Sequence, residues 1–186
     1  MLRIAVAVAL LAGSAAAWAD TIEDKAALCS ACHGLKGVSE DNLTPIIWGQ
    51  NAGYLYLQLR DYQKGARKDD RMTPIAQGLV QDDALALAEY FAAKPWPNNG
   101  APAASKADAD IANTLNRAVV CTSCHLAQFQ GDSSIPRLAD QQRGYLVKTM
   151  LDFRDRTRTN SPAMSDFMNA ATPDQLAAMA DYLAGM

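Results

Sequence analysis

The chain has 186 residues, 49% of them hydrophobic and 20% charged, and a formal net charge of −3. Its length suits one ordinary domain or two small ones. The acidic balance, with no basic run anywhere, excludes nucleic acid as a partner class.

Met1-Leu2-Arg3 is a short basic start, Ile4 to Ala12 is an apolar run, and Ala17-Trp18-Ala19 puts small residues at the two positions a signal peptidase reads. The run is too short to span a bilayer comfortably, and no other stretch approaches the ~20 apolar residues of a transmembrane helix. Residues 1–19 therefore read as a cleaved signal peptide, with an uncleaved anchor as the alternative. Loss of Arg3 with this leader makes the remaining chain more acidic still.

The first predicted helix, 22–31, leads into Cys29-Ser30-Ala31-Cys32-His33. The next, Gly53–Lys64, carries Tyr and Leu at spacings that make one apolar face, and Gln81–Ala93 follows. Lys94-Pro95-Trp96-Pro97-Asn98-Asn99-Gly100-Ala101-Pro102 cannot continue a helix, because its prolines lack amide donors and clash with the preceding turn. We place a domain boundary there, giving domains 20–97 and 98–186. Beyond it, helix 108–121 leads into Cys121-Thr122-Ser123-Cys124-His125, and Arg143–Asp155 precedes a last helix, Pro173–Ala184. Thr172 reads as the N-cap of that helix, with proline in its first turn. No segment alternates as a strand does, so the fold class is all-α.

The pattern CxxCH attaches c-type haem: each cysteine sulfur adds to a vinyl group, and the histidine is placed beneath the ring to ligate iron. Two copies use all four cysteines and both histidines of the chain. Zinc ligation by the cysteines fits poorly, because the pairs lie 92 residues apart and both carry an adjoining histidine. A thiol-redox pair wants a strand-rich context that is absent.

The second half repeats the first. Cys29, Cys32 and His33 recur as Cys121, Cys124 and His125, and Pro45, Gln50, Tyr54, Leu55, Asp61 and Arg67 recur 91 residues later. Met72, Asp82 and Tyr90 recur at an offset of 92. The chain is one module written twice.

Because no third histidine exists, neither iron has two histidine ligands, and methionine thioether is the natural sixth ligand. Met150 and Met179 fall on apolar helix faces, and Met186 is terminal. Met72 follows His33 by 39 residues, and Met164 follows His125 by the same 39. Met168 aligns with Ala76 and reads as a packing residue. The prolines beside Met72 and Met164 suggest irregular loops reaching the iron.

These motifs, with Cys32-His33-Gly34, Trp48-Gly49-Gln50, Leu138-Ala139-Asp140-Gln141 and the arginine-containing stretch Phe153 to Asn160, resemble class I cytochrome c domains. The tandem arrangement resembles the dihaem cytochrome c4 family over essentially the whole chain after the leader. The resemblance implies two class I cytochrome c domains, each wrapped around one covalent haem and related by a pseudo-twofold axis. It also implies His/Met iron in both: Cys29, Cys32, His33 and Met72 at one haem, Cys121, Cys124, His125 and Met164 at the other. Leu126 and Asp140 depart from it, standing where the first module has Gly34 and Gly49. The resemblance further implies that the Pro45 and Pro136 carbonyls accept the second ring N–H of the histidines, the alternative being turn prolines. For Tyr54 and Tyr145 ring packing is favoured over hydroxyl bonds to haem propionates. Of the basic residues before each methionine, only the repeated pair Arg67 and Arg158 reads as a propionate or interface contact.

The expected function is periplasmic electron transfer in a respiratory chain, with no catalysis of its own. By resemblance, a quinol:cytochrome c reductase is the donor, a haem-copper terminal oxidase the acceptor, and peripheral membrane association is compatible. The alternative is an electron-accepting subunit of a periplasmic dehydrogenase acting on sulfide, thiosulfate or an alcohol. A dihaem peroxidase is disfavoured, because its iron needs an open position and a spare acid/base group.

Overall fold

A computed structural model describes residues 21–186 as a set of helices joined by loops, with no strand among them. The expected leader, residues 1–19, lies outside the described residues. The first half holds α1 (Ile22–His33), α2 (Ala52–Gln63), α3 (Met72–Gln77) and α4 (Gln81–Ala92). The second holds α5 (Lys106–Val119), α6 (Thr122–His125), α7 (Arg143–Arg154), α8 (Pro162–Asn169) and α9 (Pro173–Ala184). Among the described residues no helix is long and apolar enough to cross a membrane.

Local chemistry sets the helix ends. Thr21 caps α1 and Thr172 caps α9, each in a reciprocal box with the residue three positions on, Asp24 and Gln175. Ser105 accepts the Asp108 amide and starts α5 two residues before the predicted start. Val120 turns left-handed (φ 50°) and stops α5 short of the second cysteine pair.

Each half has its own apolar cluster. In the first, α4 packs on α1 and α2 through Ala26, Leu55, Leu87, Ala88 and Phe91. In the second, α9 packs on α5 and α7 through Leu115, Leu146, Phe153, Leu176 and Leu183, among others. Fully burying one such side chain contributes about 1.5–3 kcal/mol. Among the described residues the first cluster joins only five buried side chains, which is small for a core. A haem ring enclosed there, as the sequence leads one to expect, would add apolar surface that the polypeptide lacks.

The halves meet through contacts related by the duplication. The Tyr54 amide donates to the Ser133 carbonyl (3.1 Å), and the Tyr145 amide to the Asn42 carbonyl (2.9 Å). A Cβ on Gly53 would stand 2.8 Å from Ser133 O, and one on Gly144 2.9 Å from Asn42 O. Glycine at both positions is what lets α2 and α7 approach the opposite half.

Candidate haem sites

Cys29, Cys32 and His33 share one face of α1, because residues three and four apart on a helix are neighbours. No two of the four cysteines pair as a disulfide among the described residues; Cys32 and Cys124 are exposed, Cys29 and Cys121 half-buried. Burial pushes the Cys29 and Cys121 thiols up, so the polypeptide by itself does not activate them. Among the described residues, no three His, Cys, Asp or Glu side chains converge on a point, so the two cysteine pairs build no shared zinc site.

Both histidines are buried, at 6% exposure. Nδ1 of His33 lies 2.8 Å from the Pro45 carbonyl, and Nδ1 of His125 lies 3.0 Å from the Pro136 carbonyl. A carbonyl only accepts, so each Nδ1 carries the proton and each Nε2 keeps its lone pair. Burial lowers both histidine pKa values, against the opposing pull of those carbonyl bonds, and so holds the rings neutral. A neutral imidazole with a fixed tautomer and a free Nε2 is the form that ligates iron.

The methionines stand on short helices, where irregular loops were expected. Met72 opens α3, because Asp69 Oδ1 accepts the amides of Arg71 (3.0 Å) and Met72 (2.9 Å). Met164 sits in the first turn of α8, behind Pro162 at the helix start. Both are half-buried, whereas Met150, Met168 and Met179 lie in the second core. A core position suits packing for Met168.

Arg67 and Arg158 lie at the interface of the halves, each stacked on an aromatic ring: Arg67 over Tyr62 at 4.7 Å, Arg158 over Phe153 at 4.4 Å. Each reaches across, Arg67 donating to the Tyr145 hydroxyl (3.2 Å) and Arg158 to Gln58 Oε1 (2.8 Å). Gln58 Oε1 also accepts from Arg67 (2.9 Å) and Asn160 (3.1 Å), a role its counterpart Thr149 does not repeat and the sequence did not reveal. The two tyrosines therefore do more than pack, since their hydroxyls face each other and the arginines. Burial opposes ionisation of Tyr145, yet the guanidiniums outweigh it and draw that hydroxyl below its ordinary range.

This interface is built for anions. Among the described residues neither arginine pairs with a carboxylate, and Arg158 Nη1 is buried without an acceptor, as is Trp48 Nε1 in the first half. Buried donors in native proteins almost always have partners. Haem propionates are carboxylates of the right kind for both. The donor set (two thiols, one neutral imidazole and one thioether in each half) equally fits covalent haem.

No family model matches the chain. It is similar to a cytochrome c4 of Thiocapsa roseopersicina, with 34% identity covering 86% of this chain and 87% of that one. A thiosulfate dehydrogenase electron acceptor of Stutzerimonas stutzeri is 31% identical over 85% of this chain and 78% of its own length. The fold matches the crystal structure of reduced recombinant cytochrome c4 from Pseudomonas stutzeri, with a TM-score of 0.79 and 28% identity, over 89% of this chain and 96% of that one. Similarity of this extent in sequence and fold, on a duplicated CxxCH frame, identifies a dihaem c-type cytochrome with two class I domains, an electron carrier and not an enzyme, and the chain belongs to the cytochrome c4 family.

Proposed function

We propose that the chain is a periplasmic respiratory carrier whose first iron is held by His33 and Met72 and whose second is held by His125 and Met164. Cys29 and Cys32 would tether one ring, and Cys121 and Cys124 the other. Residues 1–19 would direct export, and the two domains would divide at 97/98. The observation that carries the ligand assignment is the equal 39-residue spacing from each buried, tautomer-fixed histidine to a half-buried methionine.

Each haem, when bound, supplies a one-electron iron(II)/iron(III) couple. The protein's part is to hold it still and set its potential. The proline carbonyls orient the histidines and raise their basicity. Methionine sulfur favours the ferrous state and raises the potential. Arg67 and Arg158 offset propionate charge where the domains meet, bringing the two sites together for transfer between them. Exposed Leu28 and Leu35 flank the first cysteine pair, and exposed Val120 and Leu126 the second. Such apolar rims suit brief encounters with redox partners. On this reading a quinol:cytochrome c reductase donates and a haem-copper terminal oxidase accepts.

A second reading is favoured by the thiosulfate dehydrogenase electron acceptor among the relatives: this chain would take electrons from a periplasmic dehydrogenase. Optical redox titration with intact mass tests the carrier. Two haem masses, a c-type ferrous spectrum and two high midpoints without ligand loss are expected. An iron that binds carbon monoxide would overturn the His/Met assignment. Stable co-purification with a dehydrogenase chain would replace the free carrier with the second reading.

A further inference from the structure

Gln50 and Gln141, counterparts in the duplication, are both deeply buried, at 3% and 2% exposure. A buried amide is costly unless every polar atom is satisfied, and here every one is. Gln141 Oε1 accepts the Ile46 amide (2.8 Å), and its Nε2 donates to the Ile46 carbonyl (3.0 Å). Gln50 does the same in reverse across the interface. Its Oε1 accepts the Arg137 amide (2.8 Å), and its Nε2 donates to the Arg137 carbonyl (3.0 Å).

The peptide units involved are the ones that hold the histidines. The Ile46 N–H belongs to the same peptide group as the Pro45 carbonyl, which accepts His33 Nδ1–H. The Arg137 N–H likewise shares a peptide group with the Pro136 carbonyl, which accepts His125 Nδ1–H. Each chain of bonds runs from a glutamine oxygen in one half, through a peptide group of the other half, to that half's histidine. Linked hydrogen bonds polarise one another, so an acceptor on the N–H makes the carbonyl of that peptide a stronger acceptor.

We infer that Gln50 and Gln141 are positioning residues acting in trans: each sets the orientation and basicity of the histidine that would hold the opposite domain's iron, and through it the potential of the opposite haem. This rests on His33 and His125 being the iron ligands. Its consequence is that the domains cannot part or slide without changing both potentials at once.

The test compares Gln141→Leu with Gln141→Glu in the holoprotein. The leucine removes the acceptor, weakens the Pro45 carbonyl and makes His33 less basic, so the ferric state of the first haem loses support. Its potential rises, with up to about a tenfold change in the reduced-to-oxidised ratio at fixed ambient potential, ~59 mV for one electron. The glutamate keeps an acceptor oxygen at the same reach, so the potential falls or holds and does not rise. Histidine 15N labelling gives two signals, His33 and His125, and solvent exchange of the His33 Nδ1 proton should speed up in the leucine variant. Should Gln141→Leu fail to assemble, the mirrored Gln50→Leu decides, with His125 and the second haem responding. A larger shift at the haem of the substituted domain, no shift, or equal rises with leucine and glutamate would overturn the inference. A wild-type protein in which neither histidine shows an iron-shifted resonance would overturn the ligand assignment instead.

Discussion

The two halves reach the same loop shape by different residues. The first ends its CxxCH helix with Gly34 (φ 93°) and turns again at Gly37 (φ 88°) and Gly49 (φ 65°). The second places Leu126 (φ 66°), Phe129 (φ 51°) and Asp140 (φ 60°) at the matching positions. Aspartate tolerates the left-handed region through local hydrogen bonds, but Leu126, with ψ 168°, occupies a region nearly reserved for glycine. Each such residue costs on the order of 1–3 kcal/mol and persists only where its surroundings over-determine it. Glycine adopts these angles freely in the first half, whereas the second half holds a conformation that the local preference of its residues does not choose. The second half offsets the strain with the larger apolar cluster, fifteen buried residues against five among the described residues.

The largest effects fall on the methionines. Met164→Ala should abolish the sulfur-to-iron charge-transfer absorption of one haem, and Met72→Ala that of the other. Each should lower one midpoint by on the order of 0.1–0.2 V, within the ~0.8 V range that axial ligands cover. Met168→Ala should leave both bands and cost about 2–5 kcal/mol of stability, because Met168 is a core residue at 4% exposure. Loss of a band on replacing Met168, with Met164→Ala silent, would reverse the assignment in the second half.

A size exchange comes next. A Cβ on Gly37 would stand 2.8 Å from the Trp48 ring, so the tryptophan fills the space a side chain would need. In the second half Ala139 stands at the tryptophan's place, and Phe129, 3% exposed and edge-on to Tyr182 at 6.3 Å, takes up the room. Phe129→Ala should therefore cost about 3–5 kcal/mol. Gly37→Ala should cost roughly 1–3 kcal/mol through strain at positive φ. Chemical denaturation of the holoproteins measures both. A neutral Phe129→Ala would show that the second half does not depend on this compensation.

Much of this was legible from residues alone. Thr172-Pro173 carries its own start signal, and α9 begins and ends where the sequence predicts. Helix α5 runs from 106 to 119, not 108 to 121, because neither the Ser105 cap nor the left-handed Val120 shows in apolar spacing. The Asp69 carboxylate that holds the Arg71 and Met72 amides at the start of α3 likewise leaves no mark in apolar spacing. The repeat marked Gln50, Gln141, Arg67 and Arg158 as paired positions, and only the arginines suggested a role. A glutamine's partner across an interface leaves no periodicity, so the cross-domain bonds needed coordinates.

Trp48 sharpens the comparison at a smaller scale. Its Nε1 is buried without an acceptor among the described residues, and Ala139 offers no equivalent donor in the second half. If it serves a propionate of the first haem, Trp48→Phe should leave that carboxylate less neutralised and favour the ferric state. The first midpoint should then fall by less than ~59 mV, a tenfold change in the one-electron ratio, and the second should hold. Redox titration with the two haems resolved by NMR checks this. A shift confined to the second haem would dissociate Trp48 from the first.

The smallest expected effect lies at the helices that close each half. Helix α9 has the Thr172–Gln175 capping box, whereas α4 starts at an exposed Val80 with no side-chain cap. The residue that would complete a box in α4, Asp83, is held by Lys25 at 2.6 Å, tying α4 to α1. Thr172→Ala should cost about 1 kcal/mol. Val80→Thr supplies the missing acceptor for a first-turn amide, so it should gain stability. That gain should be smaller, about 0.5 kcal/mol, because Asp83 is engaged elsewhere and only half the box forms. The denaturant midpoint of each variant decides the matter. A gain from Val80→Thr as large as the loss from Thr172→Ala would mean that Asp83 leaves Lys25 for the cap, and that the α1–α4 ion pair contributes little to the first half.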